Sequence, residues 1–233
     1  MMETISMDMN VADIVTAIPW SADIFRKHRI DFCCGGKVSL LEAAEEKGIK
    51  PAVVFEEITS MKMTHDNRGS THPSTFGNKT LIAYIQETYH QSLCEELPSL
   101  APYITKVSRV HGANHPHLLR LYDLFKELRM ELLDHTEDED RNVFPLIINF
   151  LDNPTDRLKE KLKPHVFELE EEHENAGKLL HELREITNDF TPPEGACGTY
   201  RLVYARLEKL EKETFEHVHL ENNILFERVR AKI

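Results

Sequence analysis

Histidine and glutamate interrupt three apolar stripes in this sequence of 233 residues. In the first stripe, leucine and phenylalanine recur at steps of four and three, which is the spacing of a buried helix face. His135 and Glu139 take the next two positions of that face before apolar residues resume. His173 interrupts a second stripe, and His217 with Glu221 interrupts a third. Imidazole and carboxylate groups in this pattern predict metal binding inside a helical protein.

Burial makes these polar positions costly unless something compensates them. An unpaired carboxylate in a bundle core costs on the order of several kcal/mol and an unpaired imidazole about 1 to 3 kcal/mol, against a total stability of about 5 to 15 kcal/mol. Mutual hydrogen bonding in a polar core network, or a zinc or purely structural bundle, remains an alternative. A pair of divalent metal ions matches the number of ligands better.

An internal repeat supports a dinuclear site. His135 and Glu139 are separated by three residues, as are His217 and Glu221, and a phenylalanine follows nine residues after each histidine. This spacing places an imidazole and a carboxylate on one helix face, one turn apart. The two carboxylates can then bridge two metal ions from opposing helices, whereas the Glu-x-x-His spacing of ferritin-type sites is absent.

Three further residues are candidates on position alone. His90 lies at the edge of the apolar face of the first long helix, and we expect it to point inward. Glu131 lies one turn before His135, and Glu172 precedes His173. We expect these two glutamates either to orient ligands and relay protons or to be solvated helix carboxylates.

The chemistry needs helices that bring these residues together. Residues 80–97, 116–150, 158–187 and 199–230 show long helical patterns, and prolines 98, 154, 192 and 193 lie in or near the breaks. No stretch alternates apolar and polar residues as a strand would. The sequence therefore predicts an all-α fold with an antiparallel four-helix bundle.

Composition predicts how the chain is divided. Residues 1–63 alternate short helical patterns with breaks, which predicts a small helical domain. Residues 64–78 are rich in Ser, Thr, Asn, Gly, His and Pro, which predicts a linker. The bundle then occupies residues 79–233.

Two adjacent cysteines lie in the predicted small domain. Cys33 and Cys34 precede two glycines and a predicted capping box formed by Ser39 and Glu42. A position beside the start of a helix enhances thiolate character, so we expect these thiols to act in redox chemistry or iron transfer. The alternative is structural packing of two small residues.

Charge and composition exclude several classes of partner. The net charge of -12 argues against binding to nucleic acid. The N-terminus lacks a basic start followed by an apolar core, and no stretch approaches the roughly twenty apolar residues of a membrane span. The four cysteines do not form a secreted disulfide pattern. We therefore expect no membrane partner and a cytoplasmic location. The histidines that lack both a stripe position and a motif are expected on the surface or in loops: His28, His65, His72, His115, His117, His165, His181 and His219.

The spaced histidines with two His-x-x-x-Glu pairs resemble the hemerythrin-like superfamily. The segment Asp-Phe-Cys-Cys-Gly-Gly at residues 31–36 resembles the N-terminal signature of the repair-of-iron-centres family of di-iron proteins. The resemblance implies two non-haem iron ions bridged by Glu139 and Glu221. It implies the metal ligands His90, His111, His135, Glu139, His173, His217 and Glu221. His111 rests on the resemblance, because it precedes the predicted second helix.

The same resemblance implies repair of iron–sulfur clusters damaged by nitrosative or oxidative stress. Iron donation and removal of nitric oxide, the latter as a nitric oxide reductase activity, are both compatible with it. The implied partners are damaged iron–sulfur proteins, nitric oxide or oxygen species, and a second copy of the chain in a homodimer. The alternative is an oxygen-binding or oxygen-sensing hemerythrin-like protein, against which the Cys-Cys-Gly-Gly segment argues.

Overall fold

The computed structural model describes residues 5–65 and 72–232 of the chain. All regular elements in these residues are helical, apart from one isolated bridge between Asn10 and Ser39. The predicted all-α fold is therefore confirmed. No helix in these two ranges is both long enough and apolar enough to cross a membrane.

The described chain divides into two compact units. The first comprises residues 5–65, 72–81 and 215–232, and the second comprises residues 82–214. This division differs from the predicted domains, because the last segment of the chain belongs to the same unit as the N-terminal helices. The predicted linker at 64–78 includes residues 66–71, which lie outside the described residues.

The first unit contains four short helices that follow the predicted pattern. These are α1 (Val11–Ala17), α2 (Ser21–Lys27), α3 (Leu40–Glu46) and α4 (Pro51–His65). The predicted capping box is present at the start of α3, where Ser39 Oγ accepts the Glu42 N–H at 3.1 Å and Glu42 Oε2 accepts the Ser39 N–H at 3.1 Å.

The longer helices follow in chain order. They are α5 (Asn78–Ile85), α6 (Gln91–His111), α7 (His117–Asp138), α8 (Phe144–Asp152), α9 (Asp156–Ile186), α10 (Gly198–Leu220) and α11 (Phe226–Arg230). Three π-helical turns lie between them, at Gln86–His90, Glu139–Val143 and Glu221–Leu225. A short 3₁₀ turn at Pro73–Thr75 precedes α5.

Side-chain contacts within the second unit give the directions of its helices. Arg120, near the start of α7, donates to Glu182, near the end of α9, at 2.6 Å. His135, near the end of α7, lies 2.6 Å from Glu172 in the middle of α9. The two helices are therefore antiparallel, as predicted for a bundle.

The predicted stripes form the cores of the two units. All of their apolar members are buried: Leu121, Phe125, Leu128, Leu132, Val143, Leu146, Leu162, Val166, Leu169, Ala176, Leu180, Leu183, Val203, Leu207, Leu210 and Ile224. Apolar burial of this kind is the main favourable term in folding. The helical period therefore identified the buried faces correctly.

The predicted end of the first long helix near Pro98 is wrong. Helix α6 continues to His111 with Pro98 and Pro102 inside it. Both prolines lie on the exposed side, whereas Leu100, Ile104 and Val107 extend the buried face. Burial of that face outweighs the loss of the backbone hydrogen bonds that proline cannot donate.

Candidate metal centre

Four predicted ligands lie together in the second unit. His90, His135, Glu139 and His173 are 1%, 6%, 0% and 2% exposed. The Nε2 atoms of His135 and His173 are 2.9 Å apart. Glu139 Oε2 lies 3.2 Å from His135 Nε2 and 3.4 Å from His90 Nε2. Three imidazole Nε2 atoms and one carboxylate thus converge on one small volume inside the bundle.

Two carboxylates, those of Asp140 and Glu172, orient the imidazoles of His90 and His135. His90 Nδ1 lies 2.7 Å from Asp140 Oδ1, and His135 Nδ1 lies 2.6 Å from Glu172 Oε2. A carboxylate accepts the Nδ1 proton, so Nε2 presents its lone pair to the cluster, as a metal ligand must. The hydrogen bond from His135 lowers the pKa of Glu172 against the opposing effect of burial. Glu172 was proposed from the sequence, whereas Asp140 was missed although it follows Glu139 directly.

Removing either carboxylate should weaken metal binding without removing a ligand. We expect Asp140→Asn and Glu172→Gln each to lower metal affinity by about 10- to 100-fold, because the imidazole loses its fixed orientation and some basicity. Competition with a chromophoric chelator measures the affinity. Glu171→Gln is the matched control, since Glu171 is exposed on the same helix. Equal affinity in all three variants would contradict an orienting role.

Glu139 shows that these residues fit a cation. Both of its carboxylate oxygens are buried and neither accepts a hydrogen bond of normal geometry. A buried carboxylate without such partners is unfavourable. A divalent cation held by the oxygen and the neighbouring imidazole nitrogens would neutralise it, and iron and zinc both suit this set of donors.

The first unit contains the second His-x-x-x-Glu pair. His217 and Glu221 are both fully buried, and His217 Nε2 lies 2.9 Å from Glu221 Oε1. The pair occupies one helix face at i and i+4, as predicted from the repeat. It therefore has the same local form as the pair His135 and Glu139.

A π-helical turn follows each of the helices α5, α7 and α10, and each turn contains one candidate metal ligand. The turn Gln86–His90 ends at its histidine, whereas Glu139–Val143 and Glu221–Leu225 begin at their glutamates. The next N–H, that of Phe144 or Phe226, bonds to the glutamate carbonyl five residues before it. Single π-turns inside helices are frequent at functional sites. The sequence repeat thus extends to an unusual backbone conformation.

His111 does not join this cluster. It ends α6, which is 21 residues long and begins directly after His90, so about 30 Å of helix axis separates the two histidines. Its Nε2 instead lies 3.3 Å from Cys197 Sγ, and its ring packs against Tyr200 at a centroid distance of 5.6 Å. Because α6 continues past Pro98, it carries His111 to the far end of the second unit.

Glu131 lies beside the cluster, in the wall of a neighbouring cavity. It lines a cavity of about 510 Å³ that reaches His135 and His173. Burial and the nearby charges of Glu127 and Glu172 raise the pKa of Glu131. The cavity is strongly acidic, with Glu131, Asp134, Asp138, Glu168 and Glu172 in its lining.

The two adjacent cysteines lie in a tightly hydrogen-bonded loop of the first unit. Their Sγ atoms are 3.6 Å apart, with Cys33 buried and Cys34 partly exposed. The Asp31 carboxylate accepts the N–H groups of Cys33, Cys34 and Gly35 at 2.8 to 3.0 Å. The hydrogen bond with Cys34, followed by burial, raises the pKa of Cys33 well above its ordinary value. The predicted enhancement of thiolate character is therefore wrong for Cys33.

The sequence predicted His219 on the surface, but the structure buries this residue. It is 3% exposed, with Nδ1 3.2 Å from Phe32 O and Nε2 3.2 Å from Thr16 Oγ1. Burial lowers the pKa of His219 to about 4. Residues from the N-terminal helices cover this face, and no local pattern around His219 reveals contacts so distant in sequence.

Comparison with known protein families gives one match in the N-terminal part of the chain and a second match over the rest. Residues 7–62 match the ScdA_N family, described as a domain of unknown function (DUF542). Residues 81–229 match the hemerythrin HHE cation binding domain. The second match spans the candidate ligands His90, His135, Glu139, His173, His217 and Glu221.

Named relatives match the chain over nearly its whole length. The iron-sulfur cluster repair protein ScdA of Staphylococcus haemolyticus is 44% identical over 223 residues, which cover 94% of this chain and 96% of the relative. ScdA of Staphylococcus epidermidis is 42% identical over 220 residues, covering 94% and 96%. The iron-sulfur cluster repair protein YtfE of Edwardsiella ictaluri is 33% identical over 228 residues, covering 97% and 98%. The chain therefore belongs to the family of ScdA and YtfE, with a hemerythrin HHE cation-binding domain as its larger part.

Proposed function

We propose that this chain repairs iron–sulfur clusters damaged by nitrosative or oxidative stress. The observation that carries the proposal is its similarity, over more than nine-tenths of its length, to relatives named iron-sulfur cluster repair proteins. The buried histidines and glutamates of its cation-binding domain supply a suitable site. The comparisons offer no support for the oxygen-binding alternative.

The proposed cofactor is a pair of non-haem iron ions. Its proposed ligands are His90, His135, Glu139, His173, His217 and Glu221, with the two glutamates as bridges. The match to one cation-binding domain across residues 81–229 supports a single centre, as does the repeat of the His-x-x-x-Glu pair. His111 is left out, because α6 carries it away from His90. Iron at this site would supply the metal for rebuilding a cluster.

Iron donation is the mechanism that the second unit favours. Cations are attracted to a cavity lined by one sign of charge, and the acidic cavity reaches two proposed ligands, His135 and His173. Imidazole and carboxylate ligands also hold iron without the soft thiolates that fix it in iron–sulfur clusters. Asp140 and Glu172 would keep the imidazoles oriented while the metal exchanges.

The remaining partners stay predictions. Damaged iron–sulfur proteins are the proposed clients, and nitric oxide or oxygen species are the proposed small-molecule reactants. Nitric oxide reductase activity at the iron pair, a homodimer and a cytoplasmic location are also predicted. Cys33 and Cys34 are proposed to assist redox chemistry or iron transfer, and Glu131 to relay protons beside the cluster.

Metal analysis with Mössbauer spectroscopy tests the proposal. Anaerobically purified protein is measured before and after incubation with an apo-cluster acceptor, and separately with nitric oxide under reducing conditions. We expect two coupled iron ions per chain and transfer of iron to the acceptor. Glu139→Gln is expected to transfer none, whereas the surface control Glu171→Gln should behave as the parent protein does.

The possible results separate the mechanisms. Iron that leaves for the acceptor supports donation, whereas iron that stays bound while nitric oxide is consumed supports nitric oxide removal instead. A preparation that takes up only zinc, or no metal, contradicts the di-iron proposal.

A further inference from the structure

The loop that carries the adjacent cysteines is fastened to the π-helical turn Glu221–Leu225. Both segments belong to the first unit. Asn223 Nδ2 donates to Cys33 O at 2.9 Å, and Asn222 Nδ2 donates to the same carbonyl at 3.2 Å. The two asparagines directly follow Glu221, a proposed metal ligand. The thiol loop and the metal ligand are therefore attached to one helical turn.

The two asparagines reach the thiol loop in different ways. Asn222 is 6% exposed, and its amide also faces Cys34 Sγ at 3.9 Å. Asn223 is partly exposed and adds a longer contact to Phe32 O at 3.4 Å. Asn222 is thus placed to hold the sulfur of Cys34, and Asn223 to hold the backbone before it.

The other side of the loop is equally fixed. The Asp31 carboxylate accepts the N–H groups of Cys33, Cys34 and Gly35, on the side of the loop that the asparagines do not reach. At Gly36 a Cβ atom would lie 2.6 Å from Phe32 O and 2.9 Å from Ala12 Cβ, so the chain passes too close to its neighbours for any side chain. The contacts from the two asparagines therefore complete the set that holds the loop on both sides.

We propose that Asn222 and Asn223 are positioning residues that hold the Cys33–Cys34 loop and couple it to the metal ligand Glu221. Metal binding fixes the Glu221 side chain and with it the turn that carries both asparagines. The loop is then held more firmly, and the partly exposed thiol of Cys34 becomes less accessible. The coupling rests on the proposed function, but the positioning does not.

The test measures how fast iodoacetamide alkylates each cysteine in the full-length protein, resolved by peptide mass mapping. Cys94 is the internal control, because it is exposed on α6 and far in sequence from the loop. In metal-free protein, Asn222→Ala with Asn223→Ala should raise the rate at Cys34 about tenfold, since all hydrogen bonds from these two side chains to the loop are lost. The rate at Cys94 should not change. Asn223→Gln retains an amide donor and should stay near the parent rate.

Iron-loaded protein tests the coupling. Loading should slow alkylation of Cys34 several-fold in the parent protein and have no such effect in the double variant. An unchanged Cys34 rate in the folded, metal-free double variant overturns the positioning role. Should that variant not fold, Asn223→Leu keeps nearly the same size, removes the donor without adding a charge, and tests the contribution of Asn223 in the same way. Equal Cys34 rates with and without iron in the parent protein overturn the coupling. A protein that binds no iron contradicts the proposed function, and the metal-free comparison then still tests the positioning role.

Discussion

Glu139→Gln is expected to remove the bound metal pair while leaving the metal-free protein at least as stable as the parent. Glu139 is fully buried, and neither carboxylate oxygen has a hydrogen bond of normal geometry. Without metal, the negative charge is therefore a cost, which a neutral amide of nearly the same size avoids. With metal, the same substitution removes an anionic ligand that no other described residue of the second unit replaces. The expected change thus has opposite signs in the two states.

Thermal unfolding of metal-free and iron-loaded protein, together with iron content, measures both effects. Without metal, we expect the free energy of unfolding of the variant to exceed that of the parent by about 1 kcal/mol. Adding iron should stabilise the parent but not the variant. Glu137→Gln is the control, because Glu137 lies two residues earlier, is exposed, and pairs with the exposed Arg141 of the following π-helical turn. A metal-free variant that is clearly less stable than the parent, or one that retains two iron ions, would show that Glu139 serves a structural role instead.

The cluster in the second unit was accessible from sequence because burial enforces a period. A polar residue on a buried stripe is conspicuous, and His135, Glu139 and His173 were identified in that way. The structure brings these three side chains together with His90. The π-helical turns were not predicted, because the sequence pattern of a π-turn differs from that of an α-helix by only one residue.

The two errors around α6 have one cause. The rule for proline predicts a helix end at Pro98 and no helix in the residues that follow it. The buried residues Leu100, Ile104 and Val107 continue the apolar spacing and contain the information that was missed. Tertiary packing of this apolar face outweighs the local effect of proline, so the helix continues and its last residue, His111, lies far from His90.

Polar contacts between residues far apart in sequence could not be predicted from local sequence patterns. His219 contacts Thr16, which is 203 positions away in sequence. Arg184 and Glu211 form a buried pair, although each lies among charged residues that predict a solvated helix face. A charged side chain has the same local sequence pattern whether its partner is water or another buried charge, so only the packed helices distinguish the two cases.

Glu211→Ala is expected to destabilise the protein by about 3 to 5 kcal/mol, because it removes the carboxylate that accepts two hydrogen bonds from the buried Arg184 guanidinium and leaves that charge poorly compensated. Arg184 Nε donates to Glu211 Oε1 at 2.6 Å, and a second guanidinium nitrogen donates to Oε2. The two residues are 7% and 0% exposed. Asp189, which lies at 3.1 Å and is half exposed, would remain near the charge as a weaker partner. Urea unfolding measures the loss.

The exposed pair of Arg120 and Glu182 provides the control, since it has the same two-point geometry at 2.6 and 2.8 Å but lies in solvent. Glu182→Ala should cost less than about 1 kcal/mol. Replacing both buried partners, as Arg184→Met with Glu211→Leu, should recover most of the loss, because no charge is then left unpaired. If Glu211→Ala cost no more than Glu182→Ala, water would have to reach Arg184 in solution. If the double variant stayed as unstable as Glu211→Ala, the pair would stabilise the bundle through its geometry rather than merely avoid an unpaired charge.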